Sequence, residues 1–442
     1  MSGHKGVGRR AFLSLCAGLG TLAAAGCRGN VAQPGSGPVP KGAEGKVRIV
    51  CWSAFAEATG KVLQDLADSF NTSQDEIFVE IQYQGSYDET AQKLATTLQA
   101  RQVPDIVNFS DLTWYRFYFS NHLEPLSGYF DSSFAPSVYV DEFIEEGRAQ
   151  GEIWWLSFAR STPIFVYNKD MFSQAGLPDR GPETWSELRE WGPALQGLEA
   201  TPVVHTYHTA PFNAWYFQGT AWQWGGALSD GWEVVIDEPP VVEAGEWIRR
   251  FIHQDKMAVA KQDPGAEFIN GLTATAMSST GALGGFSEAA KFEVGAAMLP
   301  AEKEFGCPTG GSGFSVLAAA PDERKQAAFE FLKFLAQPDQ AVEWARRTGY
   351  LPVTKEAAQS EAMRKHFAEN PAFEVAVKQI EKARIPDPAR LVFPNSNATI
   401  GAGLDRIFTK NEPAQPALAD VARQLEQDRD TLPDDAQDML EK

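Results

Sequence analysis

Val47-Arg-Ile-Val-Cys51-Trp52, then Thr59 to Phe70, Ile77-Phe-Val-Glu-Ile81, Glu89 to Ala100 and Val103-Pro104-Asp105-Ile106-Val107-Asn108 form the stretch that decides the fold. Short apolar runs rich in β-branched residues alternate with segments whose apolar positions recur at three and four. In the first such segment these are Val62, Leu63, Leu66, Ala67 and Phe70. The short runs suit buried strands and the longer period suits an amphipathic helix. This alternation predicts right-handed βαβ units and a mainly parallel sheet, an α/β fold. Further helices are expected at 184–198, 241–254, 322–336 and 338–347. The last two are parted at Gln337-Pro338, where proline suits a helix start. No internal repeat is evident, and the acidic, polar residues after Asp428 read as a frayed tail.

Upstream of Val47 the chain changes character. Lys5, Arg9 and Arg10 form a basic start, followed by an apolar run over 11–26 that is broken by Ser14 and Thr21. A bilayer span needs about 20 apolar residues, so this run has the length of a signal-peptide core instead. Arg9-Arg10-Ala11-Phe12-Leu13 looks like a twin-arginine export signal. Ala24-Ala25-Gly26-Cys27 resembles a lipoprotein cleavage box, with Cys27 acylated after cleavage, although Ala24 stands where leucine is common. The alternative is an ordinary secretory signal beside a chance cysteine. Gly6-x-Gly8-x-x-Ala11 fits a relaxed dinucleotide pattern, but it follows no strand and lies within the signal. Residues 28–46, rich in Gly, Pro and small polar side chains, have tether composition. The expected processing is therefore a signal over 1–26 and a lipid-anchored flexible tether over 27–46.

The 396 residues from Val47 to Lys442 are too many for one compact core and suit two lobes. The formal charge of −19 becomes about −22 once the three basic signal residues are removed, which argues against a nucleic-acid partner. Cys51 and Cys307 are the cysteines left outside the signal and anchor, and they are either a disulfide or two buried thiols. The usual catalytic constellations are missing: no H-E-x-x-H, no P-loop, no C-x-x-C, and Gly310-Gly-Ser-Gly-Phe314 fails the last glycine of G-x-S-x-G. His205 and His208 have a helical metal spacing without a third ligand, and they read as loop or pocket-rim residues. No metal or cofactor is expected and no residue is singled out as catalytic, although the plentiful acids leave a glycosidase-like carboxylate pair open by counting.

Aromatic residues crowd three places: Trp114 to Phe119, Trp154-Trp155, and Trp215 to Trp224. Exposed aromatic faces stack on polyols and attract quaternary ammonium groups, while buried ones are lobe core. Thr309-Gly310-Gly311-Ser312-Gly313 lacks bulk. It either lets backbone N–H groups approach an anion or makes a tight turn between lobes.

Ala159-Arg160-Ser161-Thr162-Pro163 with Phe165-Val-Tyr167-Asn168-Lys169 resembles the lobe crossover of family 1 extracellular solute-binding proteins of ABC importers. Leu177-Pro178, Pro182-x-Thr184-Trp185-x-Glu187-Leu188 and Thr348-Gly349-Tyr350-Leu351-Pro352-Val353 extend the resemblance, which covers residues 49–420. Gly85-Ser86-Tyr87-Asp88-Glu89, Met277-Ser-Ser279-Thr-Gly281 and Gly310-Gly311 resemble the subgroup that binds glycerol 3-phosphate and glycerophosphodiesters such as glycerophosphocholine. The resemblance implies a two-lobed periplasmic-binding-protein fold, type II-like, with an interlobe cleft. It implies an N-terminal lobe over 47–159 and 308–345 and a C-terminal lobe over 160–307 and 346–442.

The same resemblance puts Tyr87, Asp111 and Ser161 at the cleft and Phe212 and Trp215 against the glycerol or its substituent. It gives the phosphate to Ser279, Gly310, Gly311, Tyr350 and Arg390, the last offering a bidentate fork. Relatives vary at Phe212, and Asp111 stands where some carry a longer acid. The implied partners are a small polar solute, ABC permease subunits and the membrane through the lipid anchor. A monomer on the periplasmic or outer face of the cell membrane is expected. An oligosaccharide-binding protein and, more remotely, a secreted hydrolase are the alternatives.

Overall fold

The computed structural model describes residues 39–100, 102–198, 208–211, 213–261 and 265–440. Cys27, the twin-arginine motif, His205 and Phe212 lie outside the described residues. Two five-stranded sheets carry the architecture. The first contains β1 (Val47–Ser53), β2 (Ile77–Tyr83), β3 (Ile106–Ser110) and β4 (Leu156–Ser161). The second contains β5 (Pro163–Asn168), β6 (His208–Pro211), β7 (Ala258–Lys261), β8 (Thr275–Ser279) and β9 (Val294–Ala297). The chain then returns to the first sheet with β10 (Gly310–Val316), giving the orders β2-β1-β3-β10-β4 and β7-β6-β8-β5-β9.

The helices fall where the apolar period puts them: Glu57–Ser73, Tyr87–Gln99, Trp185–Gln196, Pro239–His253, Asp322–Leu335 and Pro338–Thr348. Val62, Leu63, Leu66, Ala67 and Phe70 all face the core of the first lobe. The expectation of a mainly parallel sheet needs correction. β2-β1-β3 run parallel, but β10 lies antiparallel to both β3 and β4. The reason is connectivity: β10 enters from the other lobe and not through a helical crossover.

The chain crosses between lobes in three places. Thr162 links β4 to β5, the segment between β9 and β10 brings the chain back, and the helix Pro371–Ile380 packs on β9. Residues after 346 do not pass at once to the second lobe. The helix Pro338–Thr348 lies on Glu57–Ser73, and Val140 N–H donates to Val353 O at 3.0 Å. Gln379 ties the crossings together. Its Nε2 donates to Thr162 Oγ1 at 2.9 Å, and its Oε1 accepts from Leu299 N at 2.7 Å.

One other expectation is corrected, and one open choice is decided. The tail is docked: Tyr118 Oη donates to Met439 O at 2.8 Å, Ala436 is buried, and Leu440 packs against apolar clusters of both lobes. The apolar residues inside the acidic run hold it down. Cys51 and Cys307 are two buried free thiols.

Candidate functional site

The site lies where β3, β4 and β10 of the first lobe end against the second lobe. Asp111 follows β3, Ser161 ends β4 and Gly310 opens β10, with Gly310 paired to Ser161 and Gly311 to Arg160. Asp111 N–H donates to Gly311 O at 3.0 Å, which fixes the loop after β3 on the strand beside it. The glycine-rich segment is therefore strand, not turn. Side chains are excluded by contact: a Cβ on Gly310 would stand 2.4 Å from Trp215 Nε1, and one on Gly311 would stand 1.9 Å from Ala159 O. Gly311 also has φ +122°, a conformation that glycine alone adopts readily.

Tyr87 is placed by a capping box. Ser86 Oγ accepts from Glu89 N and Glu89 Oε2 accepts from Ser86 N, so Tyr87 is the first residue of its helix. Tyr350 is placed by Gly349, which ends the helix Pro338–Thr348 at φ +89°. The Tyr350 ring stacks parallel on Trp344 at 5.7 Å and lies so close to Gly281 that a Cβ there would be 2.8 Å from it. Ser279 closes the same corner by accepting from Gly281 N at 3.2 Å. The Tyr87 hydroxyl faces Ser312 and Tyr350, and Ser312 Oγ accepts from Asn108 Nδ2 at 3.1 Å. Burial raises both phenols, Tyr350 to about 12, so each stays a neutral hydroxyl able to donate.

Arg390 comes from the second lobe on the short helix Pro388–Leu391. Asp387 anchors that turn by accepting from Leu228 N at 2.7 Å and from Trp222 Nε1 at 3.2 Å. Ser396 Oγ donates to Arg390 O at 2.6 Å. The Arg390 guanidinium reaches across the cleft to Asp111 Oδ2 at 3.2 Å, with both side chains more than nine-tenths buried. Its Nε has no hydrogen-bond partner among the described residues. Burial lowers the Arg390 pKa and the Asp111 carboxylate opposes that shift. Trp215, half-buried, donates from Nε1 to Thr309 O at 2.8 Å and caps the glycine strand.

Thus Tyr87, Asp111, Ser161, Trp215, Ser279, Gly310, Gly311, Tyr350 and Arg390 line one interlobe region, linked through β10. Two residues not expected there share it: Arg160, 1% exposed and ion-paired with Glu146, and Glu146 itself, which accepts from Thr309 Oγ1 at 2.9 Å. The signal for Arg160 was a guanidinium inside the otherwise buried run Leu156–Ser161. Glu146 left no signal. Other aromatics belong to the cores: Trp114, Trp155, Phe217, Trp222 and Trp224 are all buried.

His208 is buried on β6, where it lines a small internal cavity with Trp185, Phe217, Trp247 and Met277. Its Nδ1 shares a hydrogen bond with Thr275 Oγ1 at 2.9 Å, and burial holds its pKa down to about 3. No group of three metal-ligating side chains occurs among the described residues.

The model for the bacterial extracellular solute-binding protein family matches residues 65–375. The chain belongs to that family. The structure also superposes on UgpB from Mycobacterium tuberculosis in complex with glycerophosphocholine, with TM-score 0.81 and 35% identity over 87% of this chain and 99% of that one. The sn-glycerol-3-phosphate-binding periplasmic protein UgpB of Pectobacterium atrosepticum is 26% identical over 85% of this chain and 90% of its own length. The cyclic alpha-maltosyl-1,6-maltose binding protein from Arthrobacter globiformis, at 21% identity and TM-score 0.73, shares the two-lobed fold. This solute-binding protein has no helix among its described residues long and apolar enough to cross a membrane.

Proposed function

We propose that this chain is the capture component of an ABC importer and that its ligand is glycerol 3-phosphate or a glycerophosphodiester such as glycerophosphocholine. The observation that carries the reading is the Arg390 guanidinium: buried in the cleft, paired with Asp111, and with Nε unpartnered among the described residues. A buried cation with a spare donor suits a phosphate, which takes charge-assisted hydrogen bonds. Tyr87, Tyr350, Ser161 and Ser279 would add neutral hydroxyls, and the side-chain-free edge at Gly310 and Gly311 would let the ligand approach the backbone. Asp111 suits glycerol hydroxyls or a choline ammonium, and Trp215 an apolar or cationic substituent. Phe212 is proposed to face that substituent.

In this reading residues 1–26 direct export, Cys27 carries the lipid, and the lobes close by bending at the three crossings. Affinity near micromolar corresponds to roughly −8 kcal/mol. An oligosaccharide ligand would use Trp215 and Asp111 and leave Arg390 without a task. A thermal-shift comparison tests the choice. At about 100 times Kd, a ligand adds roughly 2.7 kcal/mol of stability. Glycerol 3-phosphate or glycerophosphocholine should raise the melting temperature and maltose should not; a shift with maltose alone contradicts the proposal.

A further inference from the structure

Four ionisable side chains meet in the cleft wall: Asp111, Glu146 and Arg160 from the first lobe and Arg390 from the second. None is more than 8% exposed. Arg160 pairs with Glu146 Oε2, and Arg390 with Asp111 Oδ2 at 3.2 Å. The two pairs are not independent. The Asp111 carboxylate acts on Glu146, and the Arg160 charge acts on Arg390. The first lobe's share of the cluster is one cation and two carboxylates, so it carries a net −1 that Arg390 balances.

Arg160 is held rigidly. Its guanidinium lies 5.5 Å from the Trp155 ring centre and 5.7 Å from that of Phe143, and its carbonyl accepts from Leu351 N at 2.8 Å. Its Nε and Nη1 have no hydrogen-bond partner among the described residues. The groups facing Glu146 are Arg160 on β4, Thr309 before β10, Asp111 after β3, Tyr115 on the helix Thr113–Phe119, and Arg390. Asp111, Tyr115, Glu146, Arg160 and Thr309 border a cavity with room for about one water.

We propose that Arg160 is a positioning residue for anion capture: by neutralising Glu146 it leaves Arg390 a single internal carboxylate partner and keeps that guanidinium available to an incoming phosphate. This rests on the glycerophosphate reading above. Without Arg160, two carboxylates compete for Arg390 and the cleft wall repels an anion. Without Glu146, the cluster gains a net positive charge and attracts one.

The test is calorimetric titration of glycerophosphocholine into the full chain at pH 8, with melting curves, for wild type, Arg160→Gln, Glu146→Gln and the double variant. Arg160→Gln should bind at least about tenfold more weakly and Glu146→Gln equally or several-fold more tightly, with the double variant within about threefold of wild type. Weakening in Arg160→Gln without weakening in Glu146→Gln separates a charge-positioning role from a structural one, which would weaken both. Unchanged binding in Arg160→Gln, or weakening in Glu146→Gln, overturns the proposal. So does a double variant as weak as Arg160→Gln, which would mean that Arg160 touches the anion itself. Should Arg160→Gln fail to fold, the Glu146→Gln and double variants decide by the same criteria. Absence of binding by wild type overturns the glycerophosphate reading and this proposal together, whereas wild-type binding with an unaffected Arg160→Gln overturns this proposal alone.

Discussion

Gly310→Ala places one methyl group between β10 and Trp215. The added Cβ would stand 2.4 Å from Nε1, 2.5 Å from Cε2 and 2.8 Å from Cζ2 of the indole. The backbone at Gly310 is not left-handed, so alanine itself is unstrained there. Relief comes only if the ring retreats by about 1 Å, since carbon contacts settle near 3.5–4.0 Å. That retreat breaks the 2.8 Å hydrogen bond from Trp215 Nε1 to Thr309 O. A lost hydrogen bond costs about 0.5–1.5 kcal/mol and local overpacking about 1–3 kcal/mol. A combined loss of about 2–3 kcal/mol corresponds to a roughly 30- to 150-fold weaker Kd for glycerophosphocholine by calorimetry. The melting temperature should fall as well, because the clash and the lost hydrogen bond are present in the unliganded protein, where Trp215 packs against the core of its lobe. Wild-type affinity in Gly310→Ala would refute the reasoning that the Gly310–Trp215 contact shapes the binding surface.

Three further outcomes concern stability. His208 is held neutral, with a folded pKa of about 3 against 6.5 in the unfolded chain, so its contribution is complete above about pH 6.5 and is lost as pH falls toward 3, by up to ~1.4 kcal/mol per pH unit. His208→Gln should flatten the fall in melting temperature between pH 7 and pH 4, and superimposable profiles would contradict this. Gln379→Leu strands the Leu299 N–H and removes the bond to Thr162, so the urea midpoint should drop by the equivalent of about 1–3 kcal/mol; an unchanged midpoint would show that the crossings hold without it. Deleting residues 431–442 removes the Met439 contact to Tyr118 and the packing of Leu440 against both lobes. Unfolding in urea should then reveal a loss of roughly 2–3 kcal/mol, and an unaltered curve would return the tail to a frayed state.

Much of the fold was legible because it is written in local periods. The three-and-four spacing of Val62 to Phe70 and the proline at 338 need no distant partner to be read. The antiparallel placing of β10 was not legible, since it depends on a strand returning from the other lobe. Nor was the docking of the tail, where Met439 meets Tyr118 across 321 residues of chain and Leu440 packs against both lobes. The candidate site shows the same division. Ser86-Tyr87-Asp88-Glu89 announces a capping box and hence the place of Tyr87. Glu146 carries no local mark, because its role comes from Arg160 and Thr309, which only the folded chain brings to it. The aromatic clusters misdirect: Trp114, Trp155 and Trp224 are core, while the half-buried Trp215 stands against the glycine strand.

The most direct test of the central claim is calorimetric titration of the purified protein with glycerol 3-phosphate, glycerophosphocholine and maltose, on wild type and Arg390→Ala. Removing one partner of a buried pair costs about 3–5 kcal/mol, so phosphate-ligand binding should be saturable in wild type and collapse in the variant. Maltose binding that is indifferent to Arg390→Ala, with no response to either phosphate ligand, would contradict the account and leave a sugar-capturing member of the same family.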